Sequence, residues 1–221
     1  MDLIEAIRTR RSIRSFLPNP VPKEVLTELI DVSRWSPSGS NTQPWEFAVL
    51  GGKELDEVKE YIVNHSKNTP AHPDIPYPPM PEPYRTRQKD LMQAMNAYQN
   101  VSEVTNLQER RATNRASGGV FFGAPNAIIV YTDREMCPRA FLGLGMIAQT
   151  IALASLHFGL ATCIMSMVTY WPEVYREKKI VPDNKLIAFG IAIGYPDVEA
   201  RVNTFPRTRE SLDTFVRWYG I

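Results

Sequence analysis

The apolar positions along this chain fall into distinct rhythms. Leu3, Ile4 and Ile7 share one helical face behind Asp2, a residue suited to an N-cap, so a short helix is expected over 3–9. A basic, polar stretch follows, and then prolines at 18, 20 and 22. Val25, Leu26, Leu29, Ile30 and Ser33 recur at helical spacing after Pro22, which a first turn tolerates, and Pro37 stops that helix. Residues 45–50 read as a strand ended by Gly51-Gly52, and 53–64 as helix. Between Pro70 and Pro83 lie seven prolines, so 65–84 can be neither regular helix nor central strand. A long loop inside a compact domain is as a rule functional or disordered. Tyr77 and Tyr84 favour an ordered or ligand-facing segment.

The second half is more apolar. Residues 85–114 are polar and helical, with Leu91, Met92, Met95 and Tyr98 on one face, a stripe that suits core or subunit contact. Phe121-Phe122-Gly123-Ala124-Pro125 turns into a strand over 127–132. Residues 139–158 are apolar on nearly every side, which predicts a helix buried all round. A short extended segment over 163–167, a helix over 171–179 and a strongly apolar strand over 186–194 follow, and a last helix starts at Ser211. Strands and helices alternate without a repeat, so the expectation is α/β or α+β with a mixed sheet, in one domain spanning 1–221.

Composition narrows the function classes. The 221 residues are 43% hydrophobic and 22% charged, enough for a sizeable core. Lys and Arg total 25 against 24 Asp and Glu, a net charge of +1, which argues against nucleic acid as a partner. The expectation is also of no membrane partner, because no apolar run reaches spanning length and MDLIEAIRTRR lacks a signal-peptide core; a cytoplasmic location follows. Cys137 and Cys163 fall in no metal-ligand spacing and His65, His72 and His157 are scattered, so no metal site is expected. Chemistry would then come from a bound organic cofactor.

Three features could carry it. Gly143-Leu144-Gly145-Met146-Ile147-Ala148 fits the dinucleotide fingerprint, but that motif must open a helix directly after a strand, and here it lies inside a helix. Its small residues better serve the close approach of another backbone. Arg10, Arg11 and Arg14 surround Ser12, and Arg207 and Arg209 form a second pair. Guanidinium forks suit phosphate, with serine as a neutral donor, although a solvated basic turn reads the same way. The loop 37–44 is fixed by Pro37 and Pro44, and Ser38, Gly39, Asn41 and Gln43 supply donors and acceptors for the polar edge of a planar heterocycle. A plain helix-to-strand connection is the alternative.

With RRSIRSF, PSGSNTQPWEF, FFGAP, GLATC and the late arginine pair in this order, the chain resembles the FMN-dependent nitroreductase family nearly end to end, and most the branch typified by 4-nitrobenzoate reductase and the mycobacterial nitroreductase. The resemblance implies an α+β fold with a mixed central sheet flanked by helices, in an intertwined homodimer with two FMN sites at the interface and C-terminal segments reaching across the partner. It implies that Arg10, Arg11, Ser12 and Arg14 bind the FMN phosphate and ribityl chain, and that Arg207 and Arg209 complete the phosphate site. It implies that Pro37, Ser38, Gly39, Asn41 and Gln43 reach the flavin ring from the partner subunit. Met165 and Ser166 would lie along the isoalloxazine, with a backbone N–H toward its reactive nitrogen.

Two departures stand out. Some members have an acidic residue followed by glycine where this chain has Met165-Ser166. The lid-like insertion at about 65–117 diverges too far to assign a contact to the flavin's pyrimidine edge. The implied reaction is a ping-pong transfer of two electrons from NADH or NADPH to a nitroaromatic or similar small electron-poor aromatic acceptor, with no catalytic side chain assigned. Reductive dehalogenation or alkene reduction on the same fold is the alternative, as is a flavin-binding protein that does not use NAD(P)H. Tyr77, Tyr84 and Tyr98 are candidates for a substrate lid, or else extend the dimer surface.

Overall fold

The computed structural model describes residues 2–98 and 120–221. Its centre is a four-stranded sheet in the order β1-β2-β4-β3, made of β1 (Glu46–Gly51), β2 (Asn126–Asp133), β3 (Ala161–Met165) and β4 (Lys185–Gly194). All three pairings of these strands are antiparallel. The parallel component among the described residues is a bridge between Ser12 and Thr162, on the outer edge of β3.

Both faces of the sheet are covered. On one, Ala127, Ile129, Ile187 and Ala192 meet Leu55, Val58 and Ile62 of α3 (Gly52–Asn68) and Val174 and Tyr175 of α6 (Glu173–Glu177). On the other, Ile128, Val130, Ile191 and Ile193 meet Leu26 and Leu29 of α2 (Lys23–Ser33) and Leu144, Ile147 and Ile151 of α5 (Ala140–Ala154). That is why β2 and β4 read as near-continuous apolar runs, a pattern usual for parallel sheets, although their pairing is antiparallel. Gly190 sits in mid-strand because a Cβ there would collide with Val168, which lets the chain after β3 lie directly on the sheet.

α1 (Leu3–Thr9) forms as expected, with Asp2 Oδ1 accepting from Ile4 N at 2.9 Å, and α4 covers Tyr84–Tyr98. The rest of the helix expected over 85–114 lies outside the described residues. Several expectations are corrected. The helix over 53–64 continues to Asn68. The helix over 171–179 shrinks to α6, ended by Lys179 in the left-handed region at φ 56°. In place of a helix from Ser211 there is one 3₁₀ turn, Leu212–Thr214, because Phe215, Trp218 and Tyr219 stay largely exposed beside the described residues and so short a helix is marginal alone.

The helix expected to be buried all round is α5 followed by a 3₁₀ turn at Ser155–Phe158, and it is buried on one side only, with Phe141 41% and Leu142 67% exposed. Ala140–Phe158 also reaches, with 19 residues and a mean hydropathy of 1.6, the length and composition of a membrane span, against the expectation that no run does. Leu144, Ile147 and Ile151 are nevertheless packed in the core.

The start of the proline-rich stretch is tied down rather than open. Trp171 Nε1 donates to Thr69 O at 3.2 Å, and His72 N donates to Tyr170 O at 2.9 Å. Asp74, its side chain 8% exposed, accepts from Ile187 N at 2.9 Å, Arg176 Nη2 at 2.5 Å and Arg134 Nη2 at 3.1 Å.

Candidate cofactor site

Residues 10–16 run extended along the outer edge of β3, where Ile13 N donates to Thr162 O at 3.0 Å. Side chains of an extended segment alternate. Arg10, Ser12 and Arg14 therefore face one cleft, while Arg11 and Ile13 face another. The C-terminal segment lies alongside, joined by Asn203, whose Oδ1 accepts from Arg14 N at 2.7 Å and whose Nδ2 donates to Ser15 O at 2.9 Å. The two ends of the chain thus converge on a cleft of about 440 Å³ lined by Arg10, Ser12, Arg14, Arg207, Arg209 and, from α4, Arg87. Asp90 and Glu210 are the carboxylates on its wall.

Arg207 is positioned by the end of α1. Its guanidinium donates to the carbonyls of Arg8 and Thr9, each at 3.2 Å, and to that of Arg10. These are carbonyls that a helix C-terminus leaves without partners. Desolvation first, and then Arg11, Arg209 and Arg10, pull the Arg207 pKa down. Arg11 is pulled down by desolvation and by Arg14. The Nε atoms of Arg10 and Arg11 are buried and have no hydrogen-bond partner among the described residues. Among the described residues, Arg10, Arg11, Arg14, Arg207 and Arg209 form no ion pair with a carboxylate. Cations held together without a counter-ion repel one another, and an anion entering the cleft removes that cost. The donor set fits a phosphate, with several guanidinium groups and one serine hydroxyl.

Arg11 is turned away from this cleft. Its Nη2 donates to Phe205 O at 2.6 Å and its guanidinium lies 5.3 Å from the centre of the Phe205 ring, so it braces the segment that carries Arg207. Met165 and Ser166 sit at the end of β3. Met165 is buried in the core, and Ser166 precedes a 3₁₀ turn in which its carbonyl accepts from Thr169 N at 2.9 Å and Thr169 Oγ1 at 2.8 Å. Ser12 pairs in parallel with Thr162, so both segments advance in the same direction, and Met165 lies about 10 Å beyond Thr162 at ~3.3 Å per residue. Burial pushes the pKa of the Cys163 thiol, on the same strand, upward against the pull of Arg14, a Ser12 hydrogen bond and Arg10, so Cys163 is not an activated nucleophile.

The loop 37–44 does not join the arginine cleft within this chain. Ser40, Asn41 and Gln43 adopt φ of 52°, 55° and 46°, with Thr42 between them at −72°, so three residues other than glycine take left-handed backbone that is sterically strained and tends to mark functional segments. Ser38 stitches it, with Oγ accepting from Gln43 N at 2.9 Å and the carbonyl accepting from Asn41 N at 3.0 Å. The loop rests on α5: Ser36 Oγ and Thr150 Oγ1 are 3.0 Å apart, and a Cβ at Gly143 would lie 3.1 Å from Pro44 Cγ. Close approach is thus the purpose of Gly143, in place of the dinucleotide fingerprint. Gly39, Asn41 and Gln43 are exposed, and Pro37 borders a shallow groove shared with Phe141, Leu142 and Met146.

The wall contributed by α4 was not visible from the sequence. Arg87, Asp90, Leu91 and Ala94 face the cleft at helical spacing, a signal that could have found it. In the stripe of Leu91, Met92, Met95 and Tyr98, only Met95 is buried.

The pattern of the Nitroreductase family matches residues 7–195. The chain is 28% identical over 221 residues to 4-nitrobenzoate reductase of Pseudomonas putida, an alignment that covers 99% of this chain and 96% of the relative. It is 31% identical over 215 residues to chloronitrobenzene nitroreductase of Comamonas testosteroni, covering 96% and 94%. Among solved structures it is similar to the FMN and NADPH-dependent nitroreductase NfnB of Sphigopyxis sp. strain HMH, with a TM-score of 0.94, 27% identity and 100% of both chains covered.

Proposed function

This chain belongs to the nitroreductase family, and we propose that it is an FMN-dependent oxidoreductase that moves two electrons from NAD(P)H to nitroaromatic or similarly electron-poor acceptors. The observation that carries this reading is the cleft in which Arg10, Arg14, Arg207 and Arg209 have no carboxylate partner among the described residues, placed along one edge of the sheet from the end of β3. NfnB, which shares the fold over its whole length, is an FMN and NADPH-dependent nitroreductase. Bound flavin supplies the two-electron chemistry between nicotinamide and acceptor.

The chain's own residues bind and orient. Arg10, Arg14, Arg207 and Arg209 would hold the phosphate with the Ser12 hydroxyl, and Arg11 would act behind them by fixing Phe205. The backbone at Met165 and Ser166 would lie beside the ring. These two side chains bring no ionisable group, so none there is assigned a proton transfer. Oriented N–H donors and the positive cleft favour added negative charge on the bound group.

The active form in this reading is a homodimer in the cytoplasm, each protomer one domain with an insertion at about 65–117. Its support is the exposed apolar surface: Leu3, Ile4 and Ile7 on α1, Phe141 and Leu142 on α5, and Phe215, Trp218 and Tyr219 near the C-terminus. A two-fold partner would cover these faces and bring the loop with Pro37, Ser38, Gly39, Asn41 and Gln43 to the other protomer's flavin. Residues 69–75 are fastened to β4 and α6, so a substrate lid would begin at Tyr77 and include Tyr84, both exposed.

The test is the visible spectrum of the purified protein, followed without oxygen during additions of NADH or NADPH and then 4-nitrobenzoate. A yellow protein that bleaches with nicotinamide and recovers with the nitro compound is the expected result. A yellow protein that resists both nicotinamides would favour a flavin-binding protein with another reductant, and a colourless one that takes up no FMN would overturn the reading.

A further inference from the structure

Glu210 puts a negative charge where an anion site has no use for one. It follows Arg209 directly on the wall of the guanidinium cleft, and its Oε1 accepts from Arg87 Nε at 3.2 Å. Arg87 belongs to α4, and its guanidinium is also held between two rings, 5.6 Å from the centre of Tyr84 and 5.3 Å from that of Phe215. Over the next two turns α4 presents Asp90, Leu91 and Ala94 to the same cleft. The Arg87 side chain therefore joins a helix from the middle of the sequence to the segment that carries Arg207 and Arg209.

We propose that the Arg87–Glu210 pair is a clasp that retains the cofactor, holding α4 against the C-terminal segment as the outer wall of the cleft so that a bound phosphate leaves only when the clasp opens. The proposal rests on the cleft being the FMN phosphate site. Arg87 and Glu210 are positioning residues, since they act through α4 and need not touch the flavin. An exposed ion pair contributes little alone, and the two ring contacts add to it, so the expected effect is a change in release rate rather than loss of binding.

Two accounts of Glu210 differ in sign. If it mattered only as a charge near the phosphate, neutralising it would raise the positive potential and slow FMN release. As half of a clasp, neutralising it speeds release. The experiment dilutes full-length holoprotein and follows free flavin fluorescence for the wild type, Glu210→Gln, Arg87→Gln, the double variant, the swap Arg87→Glu with Glu210→Arg, and Arg207→Ala. Expected are release rates raised by about three- to tenfold in each clasp single variant, a double variant no faster than the faster single, and recovery in the swap, which also excludes misfolding as the cause. Slower or unchanged release in Glu210→Gln, or effects that multiply in the double variant, would overturn the clasp while Arg207→Ala still weakens FMN retention. Arg207→Ala without effect would instead remove the phosphate site, and the clasp with it.

Discussion

Two places in this molecule gather arginines, and they are built to opposite rules. Where the proline-rich segment meets β4, Arg134 and Arg176 converge on Asp74, a carboxylate 8% exposed that also accepts from Ile187 N. Burial works to raise the Asp74 pKa, but the Ile187 N–H, Arg176 and Arg134 outweigh it and hold it below the usual carboxylate range. In the other cluster Arg10, Arg14, Arg207 and Arg209 meet with no carboxylate partner among the described residues, and Arg207 is pulled down by desolvation and by its cationic neighbours. In the first cluster both guanidinium groups share one buried carboxylate, and the cluster acts as a brace. The second gains an anionic partner only with a ligand. The presence of a carboxylate partner inside a cluster, rather than the number of arginines, separates a structural node from a binding site.

The contrast breaks most visibly when each cluster loses its key residues. Arg10→Ala with Arg207→Ala removes charge-assisted donors, so FMN affinity of the apoprotein should fall by about 100- to 1000-fold in a fluorescence-quenching titration. An effect below tenfold would place the phosphate elsewhere. Asp74→Ala should do the reverse, lowering unfolding free energy by about 3 kcal/mol because two guanidinium groups and an N–H lose their acceptor, while the folded fraction binds FMN as before. Denaturant titration beside the same FMN titration separates the two variants. A smaller effect sharpens the difference: inorganic phosphate at ten times its dissociation constant should stabilise the apoprotein by about 1.4 kcal/mol, and should lose that effect in the double arginine variant but not in Asp74→Ala.

The smallest effect is in pH. The folded pKa of Asp74 lies below its unfolded value, so its contribution is complete above about pH 4 and is lost as pH falls through the folded value. The stability gap between wild type and Asp74→Asn should stay level from neutral pH to about pH 5 and close only in stronger acid. A gap that closes near neutrality would mean that the brace depends on another group.

Much of the fold was legible in the sequence because periodicity reports burial directly. The strands over 45–50, 127–132 and 186–194 correspond to β1, β2 and β4 within a residue or two at most ends, and Gly143 serves the close approach that its position implied. What failed has a common cause. A run such as 139–158 shows that it is apolar, but not that Phe141 and Leu142 remain uncovered in one chain. Arg11 could have been separated from Arg10 and Arg14 by strand alternation, had 10–14 been read as extended. Neither Asp74 nor Arg87 has its ion-pair partners nearby in the sequence. Their roles depend on β4, α6 and the C-terminal segment, which only the folded chain brings to them. The loop 37–44 was legible as a special segment, yet its chemistry lies with whatever covers α5.

The most direct measurement is a paired titration of the apoprotein with FMN and with riboflavin, which differ only in the phosphate. If the guanidinium cleft is the phosphate site, FMN binds at least about 100-fold more tightly, and the gap collapses in Arg10→Ala with Arg207→Ala. Equal affinity for the two flavins, or a gap untouched by losing both arginines, would contradict the assignment of this cleft.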